Sequence, residues 1–243
     1  MLSHSEQMLP FLRQVVAGLN MQITEDQFSL IARYDDYVYQ YNQMTNLTRI
    51  IDPLEVAVKH FGDSFLLCRQ ECLFFGCALA DIGSGAGFPG IPLAIVRPDI
   101  HVTLVDSLRK RTLFLADVVQ ELGLSNVQVC WGRVEDLAQR TNYRESFDVV
   151  VARAVAPLNV LAELCLPLVK VWGSFLAMKG PRGEAELDRA AKAIKLMGGT
   201  LVSIANNCLP MLAEKRSIIR IDKVSSTPRL YPRKPGIPEK QPL

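Results

Sequence analysis

The chain has 243 residues with a formal net charge of +2, and it is 49% hydrophobic and 21% charged with a mean hydropathy of +0.15. This composition is that of a globular protein with a sizeable core, and it excludes disordered and collagen-like chains. The sequence has no apolar run near the roughly 20 residues that cross a bilayer, so a membrane-spanning protein is excluded as well.

The six cysteines indicate the redox environment of the chain. They are irregularly spaced and lie mostly among apolar residues, which is typical of reduced thiols rather than of a disulfide framework. The first seven residues also lack the basic segment of a secretory signal peptide. Both features predict a cytoplasmic protein.

The small net charge hides an uneven distribution. Residues 1–76 carry a net charge of −4, whereas residues 77–224 and 225–243 carry +3 each. We predict three regions with these boundaries: an N-terminal helical region, a central α/β domain and a basic, proline-rich tail. A total of +2 argues against broad, non-specific polyanion binding, but the basic core and tail leave room for one structured RNA site.

Two start signals predict helices in the N-terminal region. Thr24 followed by Gln27 is a capping box, and it opens a segment whose apolar residues recur at helical spacing. Asp52, Pro53 and Glu55 form a second signal, with an N-cap, a proline in the first turn and an acid three residues on. We therefore expect a helix from residue 53 to about 70.

Short apolar runs alternate with amphipathic stretches from residue 77 onwards. Five of these runs predict buried strands: 77–82, 101–106, 127–131, 147–152 and 174–178. Because helices separate these strands, we predict right-handed crossovers and a mostly parallel sheet covered on both faces. Two further runs, 200–204 and 217–221, have no helix between them, so we expect an antiparallel hairpin at one edge. The predicted fold class is α/β.

The tail is predicted from its composition. Residues 225–243 contain five prolines together with Arg233 and Lys234. Because proline cannot join a β-ladder or continue a helix, we expect an extended segment. We interpret it as a flexible basic arm that orders on phosphate, or alternatively as a plain disordered terminus.

A glycine-rich turn links the first predicted strand to a helical run. It reads Asp81-Ile82-Gly83-Ser84-Gly85-Ala86-Gly87-Phe88-Pro89-Gly90. Glycines at such a turn let the backbone pass close to a ligand and expose amide donors at the positive end of a helix. A dinucleotide-binding fingerprint would have glycine or alanine where this chain has Phe88.

Asp106 ends the next predicted strand, 23 residues after Gly83. A carboxylate at this place is suited to accept hydrogen bonds from ribose hydroxyls. Together with Asp81 it favours a ligand that has an ammonium group and a ribose but no pyrophosphate, and S-adenosylmethionine fits this description. The alternative is a turn without a ligand, in which Asp81 caps the turn and Asp106 caps the following helix.

These motifs and several others resemble the ribosomal RNA small-subunit methyltransferase G family, also called glucose-inhibited division protein B. The resemblance is carried by the runs 81–98, 104–111, 133–135, 151–154 and 178–180, and also by 46–48, 59–64 and 231–236. It covers nearly the whole chain, and the glycine loop is its most specific part.

The resemblance implies a fold and an activity. The fold would be that of class I S-adenosylmethionine-dependent methyltransferases, which is Rossmann-like, and family members are bacterial enzymes that methylate N7 of one guanine in the decoding-region loop of 16S ribosomal RNA. We therefore expect S-adenosylmethionine as the cofactor, 16S rRNA or a small-subunit assembly particle as the partner, no membrane partner and a monomer. The cofactor-binding candidates are Gly83, Gly85, Phe88, Asp106, Val134, Glu135 and Arg153. For Glu135, an acid in the first turn of a helix is the alternative.

Two basic residues end predicted strands at the edge where open α/β sheets bind ligands. We interpret Arg153 as a contact to the cofactor or to a substrate phosphate, with a solvated charge at a strand end as the alternative. Lys179 would face the same crevice, or its stem would cover a strand end. Both are candidates for positioning, and we assign no certain catalytic residue.

A further set of side chains is a candidate for RNA binding: Arg109, Lys110, Arg111, Arg233, Lys234, Asn46 and His60. The run 109–111 is equally typical of the solvated start of a helix. His60 is more often structural, since no metal-ligand spacing surrounds it, and we predict no metal site. Asn46 and Thr48 either cap helix ends or position the base from the linker beside the site.

The sequence fits a methylation site that has no general base, as the resemblance implies. Guanine N7 carries an in-plane lone pair and no proton, so its attack on a sulfonium methyl needs alignment and no general base. The segment 152–156 lacks the Asn/Asp-Pro-Pro-aromatic motif that holds an exocyclic amine for methylation. No predicted strand ends in Pro-Cys, which would supply the thiolate used to methylate a ring carbon. Both absences narrow the predicted target. Two other functions stay open: a methyltransferase acting on a small molecule or a protein, and a nucleotide-binding module without catalysis.

Overall fold

A seven-stranded sheet forms the centre of the computed structural model, which describes residues 2–181 and 183–243. The strands lie in the order β3-β2-β1-β4-β5-β7-β6. Their bounds are β1 Ala78–Ile82, β2 His101–Asp106, β3 Val127–Trp131, β4 Phe147–Arg153, β5 Val169–Lys179, β6 Gly199–Cys208 and β7 Lys215–Lys223. The sheet is parallel from β3 to β5 and antiparallel at β7 and β6, which confirms the predicted α/β fold class with a mostly parallel sheet.

The topology places a binding crevice beside β1. The strands β1 to β5 are parallel, and the chain order reverses between β1 and its neighbour β4. Ligands of open α/β sheets bind at such a switch point, outside the carboxyl ends of the strands. β7 pairs antiparallel with both β5 and β6, which confirms the predicted edge hairpin.

Helices cover both faces of the sheet. Their bounds are α1 His4–Gly18, α2 Glu25–Thr45, α3 Pro53–Glu55, α4 Asp63–Phe65, α5 Gly90–Val96, α6 Arg109–Leu122, α7 Val134–Leu137, α8 Leu158–Cys165, α9 Leu187–Leu196 and α10 Ile237–Lys240. Successive strand residues such as Val149 and Val150 are buried in two different apolar clusters, because side chains alternate between the faces of a strand. None of the helices in the described ranges combines the length and apolar character needed to cross a bilayer.

The N-terminal helices share one of these apolar clusters with the sheet. Met8 and Ile31 are buried in the same cluster as Leu79 and Leu104. Both α1 and α2 begin with a capping box, and the predicted box of Thr24 and Gln27 is confirmed. The N-terminal region therefore packs directly on the sheet face that also carries α5 and α6.

The predicted helix from 53 to about 70 is present, but its winding changes along its length. It starts as predicted with Asp52 as N-cap and continues through α3, a π-helical segment Val56–Gly62, α4 and a 3-10 turn Leu66–Arg69. A π-helical turn widens the helix locally and is frequent at functional sites. Here it carries His60 to the carboxyl edge of the sheet.

The tail is ordered against the protein body, so the prediction of a flexible arm is wrong. Glu163 on α8 is 1% exposed and accepts hydrogen bonds from Arg233 through Nε (2.8 Å), Nη2 (2.6 Å) and the backbone nitrogen (2.9 Å). The Arg144 guanidinium donates to the carbonyls of Thr227 (2.7 Å) and Tyr231 (2.8 Å). These bonds fix the tail because a buried carboxylate and five guanidinium N–H groups both require partners.

Candidate functional site

The glycine loop lies at the switch point with its backbone open to solvent space. Gly83 has φ +71° and Gly85 has φ +59°, which are left-handed conformations that favour glycine. A Cβ added to Gly83 would lie 2.7 Å from Val155 Cγ2, whereas one added to Gly85 would meet nothing closer than 3.8 Å. The loop therefore leaves space above Gly85, and its backbone is suited to a close ligand.

Asp106 ties the glycine loop to the end of β2. It is 3% exposed, and its two carboxylate oxygens accept from the backbone nitrogens of Gly85 (3.0 Å) and Leu108 (2.8 Å). The Arg111 Nη1 lies 3.5 Å from Oδ2. A carboxylate has about four lone-pair sites, so Asp106 keeps capacity for ribose hydroxyls beyond these backbone bonds.

Asp81 is buried at the end of β1, and its predicted part in favouring a ligand with an ammonium group stays a prediction. The side chain lies beneath the loop, where Oδ2 accepts from the backbone nitrogen of Gly90 at 3.0 Å and Oδ1 has no hydrogen-bond partner in the described residues. Burial raises the pKa of this carboxyl to about 7, against the opposing effect of the Gly90 bond. Asp81 therefore shapes the turn, which is the alternative considered from the sequence.

Two depressions meet at Gly83. We call the smaller one, which Asp106, Val134, Glu135 and Glu239 help to line, the narrow pocket. The Glu135 side chain accepts from the backbone nitrogen of Gly236 at 3.1 Å, so it anchors the tail beside this pocket. Both predicted residues of the α7 start are thus at the narrow pocket, and the tail forms part of its wall.

We call the larger depression the wide cleft, which has a volume of about 500 Å³. Its walls are Leu47, Thr48, Ile50, Lys59, His60, Asp63, Gly83, Ser84, Gly85, Ala86, Phe88, Arg153, Ala154, Met178, Lys179, Gly180 and Arg216. Four of these residues are lysine or arginine and one is an acid, but each of the four cations is ion-paired, so neighbouring carboxylates offset much of their charge.

Arg153 lines the wide cleft and is held by hydrogen bonds to other residues of its wall. Its guanidinium donates to the Lys59 carbonyl (3.0 Å), Asp63 Oδ2 (3.3 Å) and His60 Nδ1 (3.4 Å), and it lies 5.4 Å from the centre of the Phe88 ring. These contacts join the end of β4 to the π-helical segment. Arg153 is therefore neither a solvated charge nor a free phosphate ligand, and it acts on the site by holding its neighbours.

Phe88 and His60 join the glycine loop to the N-terminal region. Their rings stack with centroids 4.4 Å apart, and Phe88 also packs 5.2 Å from Tyr34. The Tyr34 hydroxyl donates to the Ala86 carbonyl at 2.6 Å. Burial and the nearby Arg153 lower the pKa of His60 to about 3, so the imidazole is neutral. Phe88, a predicted cofactor-binding residue, thus packs the glycine loop against α2 and the π-helical segment.

Lys179 lies at the end of β5 on the opposite wall. Its Nζ donates to the Ala156 carbonyl at 2.7 Å and to Glu186 Oε2 at 2.9 Å. Glu186 also accepts from the backbone nitrogen of Leu158 at 2.6 Å. Lys179 therefore lines the wide cleft, as expected for its strand position, with its ammonium held by the loop after β4.

The candidate RNA-binding residues are distributed over several surfaces. Arg109 and Lys110 are exposed at the start of α6, where Arg109 lies over the Trp131 ring at 5.4 Å. Asn46 is the left-handed C-cap of α2, which is one of its two predicted roles. Arg233 is occupied by Glu163, as described above, whereas Lys234 is exposed.

Two basic residues of the wide cleft were not predicted as site residues. Lys59 binds Glu55 (2.7 Å) and Glu214 (2.8 Å), and Arg216 binds Glu214 (2.8 Å). Arg216 is brought to the cleft by the antiparallel pairing of β7 with β5. The placement of Arg216 could not be predicted from a lone arginine in the sequence. The place of Lys59 in the cleft could have been predicted, because it directly precedes the candidate residue His60.

The comparisons with known proteins agree with this geometry. Residues 27–216 match the family described as rRNA small subunit methyltransferase G. Proteins named "Ribosomal RNA small subunit methyltransferase G" are similar over nearly their whole length: the one from Desulforamulus reducens is 45% identical over 96% of this chain and 97% of its own, and the one from Pelotomaculum thermopropionicum is 47% identical over 93% and 94%.

Solved structures agree in fold at low sequence identity. The Methanococcus jannaschii fibrillarin pre-rRNA processing protein superposes with a TM-score of 0.51 at 14% identity, over 65% of this chain and 71% of its own. The M. jannaschii TYW2 structure, determined in complex with AdoMet, gives a TM-score of 0.50 at 14% identity, over 66% and 76%. Because sequence and fold agree over most of the chain, this protein belongs to the rRNA small subunit methyltransferase G family.

Proposed function

We propose that this protein transfers a methyl group from S-adenosylmethionine to N7 of one guanine in the decoding-region loop of 16S ribosomal RNA. Its family membership establishes the coarser activity, S-adenosylmethionine-dependent methylation of ribosomal RNA. The observation that carries the proposal is the meeting of the narrow pocket and the basic wide cleft at Gly83. Such an arrangement suits a nucleoside cofactor on one side and an RNA base on the other.

The residues around the narrow pocket fit S-adenosylmethionine. Asp106 at the narrow pocket has lone pairs left for ribose hydroxyls, and Gly85, on the adjoining wide cleft, leaves space for a ligand against the loop backbone. Val134 and Glu135 would border the adenine. When bound, the cofactor supplies an electrophilic methyl group on a sulfonium, and the chain's own residues have to orient it toward the wide cleft.

The wide cleft suits a reaction without a general base. His60 is neutral, and its Nδ1 accepts from Arg153. Lys179 and Asp63 are both ion-paired, to Glu186 and to Arg153. Because N7 of guanine attacks through a lone pair and loses no proton, alignment by these fixed groups is sufficient, and good alignment lowers a barrier by up to about 7 to 11 kcal/mol.

A reconstituted assay tests the proposal. Purified protein, labelled S-adenosylmethionine and unmethylated 16S rRNA or small-subunit particles should give 7-methylguanosine after digestion to nucleosides. Calorimetry with S-adenosylhomocysteine and with NAD separates the cofactor classes, and tight binding of NAD alone would contradict the assignment. A labelled nucleoside other than 7-methylguanosine would leave the methyltransferase activity but exclude N7. The cytoplasmic location and the monomeric state remain predictions.

A further inference from the structure

A chain of three hydrogen bonds fixes the proton of His60. Arginine is always protonated and has no acceptor, so the Arg153 Nη2 that lies 3.4 Å from His60 Nδ1 must donate to it. The imidazole is 7% exposed and neutral, so it carries a single proton. With Nδ1 accepting, that proton is on Nε2.

The fixed tautomer determines what Thr48 is able to do. His60 Nε2 lies 3.0 Å from Thr48 Oγ1 and, carrying the proton, donates to it. The backbone nitrogen of Ile50 donates to the same oxygen at 3.1 Å. A hydroxyl has two acceptor lone pairs and one proton, so both lone pairs are in use. The Thr48 hydroxyl is therefore a donor only, and no acceptor for its proton is found within 2–181 and 183–243.

The Thr48 hydroxyl is held in place beside the glycine loop. Thr48 lines the wide cleft together with Gly85 and Phe88. The stack of His60 on Phe88 connects it to the glycine loop, and the Asn42 side chain accepts from the backbone nitrogen of Thr48 at 2.9 Å. A purine that presents N7 to the glycine loop would have the substituent at its position 6 toward the cleft wall at Thr48.

We infer that the Thr48 hydroxyl selects guanine over adenine by donating a hydrogen bond to O6 of the target base. The inference rests on the proposed N7 methylation. On the edge that carries N7, guanine offers a second acceptor, O6, whereas adenine offers a donor, the N6 amine. A donor-only hydroxyl pairs with O6 and leaves an adenine amine without a partner, and sites built in this way discriminate strongly.

The first test compares Thr48→Val with Thr48→Ser. Valine keeps the shape and removes the hydroxyl, so kcat/KM for 7-methylguanosine formation should fall about 10- to 100-fold, whereas serine should stay within about threefold of the unmodified protein. Thr45→Val is the matched control, because Thr45 donates to the Tyr41 carbonyl and does not line the wide cleft. Binding of S-adenosylhomocysteine should be the same in all variants.

The second test changes the base rather than the protein. A 16S RNA ligated from two segments can carry 2-aminopurine, which lacks O6, at the target position. Loss of O6 should lower kcat/KM for the unmodified protein about 10-fold more than for Thr48→Val, because the variant has no hydrogen bond to lose. If Thr48 had a purely structural role, its replacement would lower kcat/KM equally for the guanine and the 2-aminopurine RNA. The ratio of the two kcat/KM values would then be unchanged.

The outcomes separate this inference from the proposed function. If the unmodified protein makes no 7-methylguanosine, the proposed function fails. If it does, but the ratio of kcat/KM for guanine to that for 2-aminopurine is the same in Thr48→Val as in the unmodified protein, the inference is wrong, and the Thr48 proton belongs to the small interior cavity beside His4 instead.

Discussion

At the scale of single residues, we expect cofactor binding to depend most directly on Asp106. It connects the glycine loop to β2 through Gly85 and faces the narrow pocket. Its position was predictable from the sequence because the carboxyl ends of adjacent parallel strands meet at one edge. The environment of Asp81 was not, since the same spacing describes a carboxylate above the loop and one buried beneath it.

Replacing Asp106 by alanine should weaken the binding of S-adenosylhomocysteine. Loss of charged hydrogen bonds to the ribose costs about 1 to 3 kcal/mol, which corresponds to an increase in Kd of roughly 5- to 150-fold. Calorimetry measures this change, and Asp117→Ala, at an exposed acid on α6, is the matched control. An unchanged Kd in Asp106→Ala would contradict the ribose assignment.

The buried Asp81 should give the protein a characteristic pH dependence. Its pKa is raised to about 7 in the folded state, while the unfolded chain has a value near 3.9. Between about pH 4 and pH 7 the folded state therefore keeps a proton that the unfolded chain has lost, and this contribution to stability is lost as the pH rises. The free energy of unfolding of Asp81→Asn, relative to the unmodified protein, should rise over this range and level off above it.

Urea unfolding from pH 4 to pH 8 measures this difference. Subtracting one protein from the other removes the opposite contribution of His60, whose lowered pKa favours the folded state as the pH rises toward 6.5. Asparagine retains an acceptor for the Gly90 nitrogen, so the loop should keep its conformation. A difference that stays constant with pH would show that Asp81 is ionised in the folded protein throughout.

At the scale of elements, apolar periodicity predicted the strands well and the tail poorly. The predicted bounds of β2 and β3 agree with the structure, because their apolar runs end where the strands end. β6 and β7 extend beyond their predicted apolar runs through polar residues such as Asn207 and Lys215, which an exposed edge hairpin tolerates. The winding change in the segment 53–69 leaves no periodic signal over so few residues.

The tail shows what composition alone misses. Prolines and basic residues are typical of a mobile arm, but the partners that fix this one lie far away in the sequence, at Glu163 and Arg144. Nothing in the sequence around Glu163 indicates that its carboxylate is buried. Only the packing of α8 shows that its carboxylate is buried and needs a cation.

Arg233→Ala should therefore destabilise the protein. Removing one partner leaves Glu163 buried without a counter-charge, which costs about 3 kcal/mol. Urea unfolding checks this value, and Lys234→Ala, at the exposed neighbouring residue, should change stability by no more than about 0.5 kcal/mol. If the two variants were equally stable, the Arg233–Glu163 ion pair would not contribute to the free energy of unfolding. That result is the one expected of a flexible arm.

At the scale of the whole molecule, the wide cleft brings together basic side chains from distant parts of the sequence. The acidic N-terminal region contributes Lys59 to the wide cleft, and the basic domain contributes Arg153, Lys179 and Arg216. The cleft lining therefore contains four basic side chains, each of which is paired with a carboxylate. Its position depends on the pairing of distant segments, which is why the sequence predicted an RNA site but not its walls.

The dependence of RNA binding on salt tests whether the start of α6 extends this surface. Alanine at Arg109, Lys110 and Arg111 should reduce the negative slope of log affinity against log salt, because each lost phosphate contact removes about 0.7 to 0.9 from its magnitude. The matched control removes three exposed charges from α9, at Arg189, Lys192 and Lys195. Equal slopes for the two triple variants would place these α6 residues outside the RNA interface.

The central claim concerns one modified nucleoside. Ribosomal RNA from a strain that lacks this protein, and from the same strain with the gene restored, is digested so that the decoding-region fragment of 16S rRNA is isolated and its 7-methylguanosine quantified. We predict that the nucleoside is absent without the protein, returns with the unmodified gene and returns to a lower level with Asp106→Ala. An equal amount of 7-methylguanosine in that fragment with and without the protein would contradict the account.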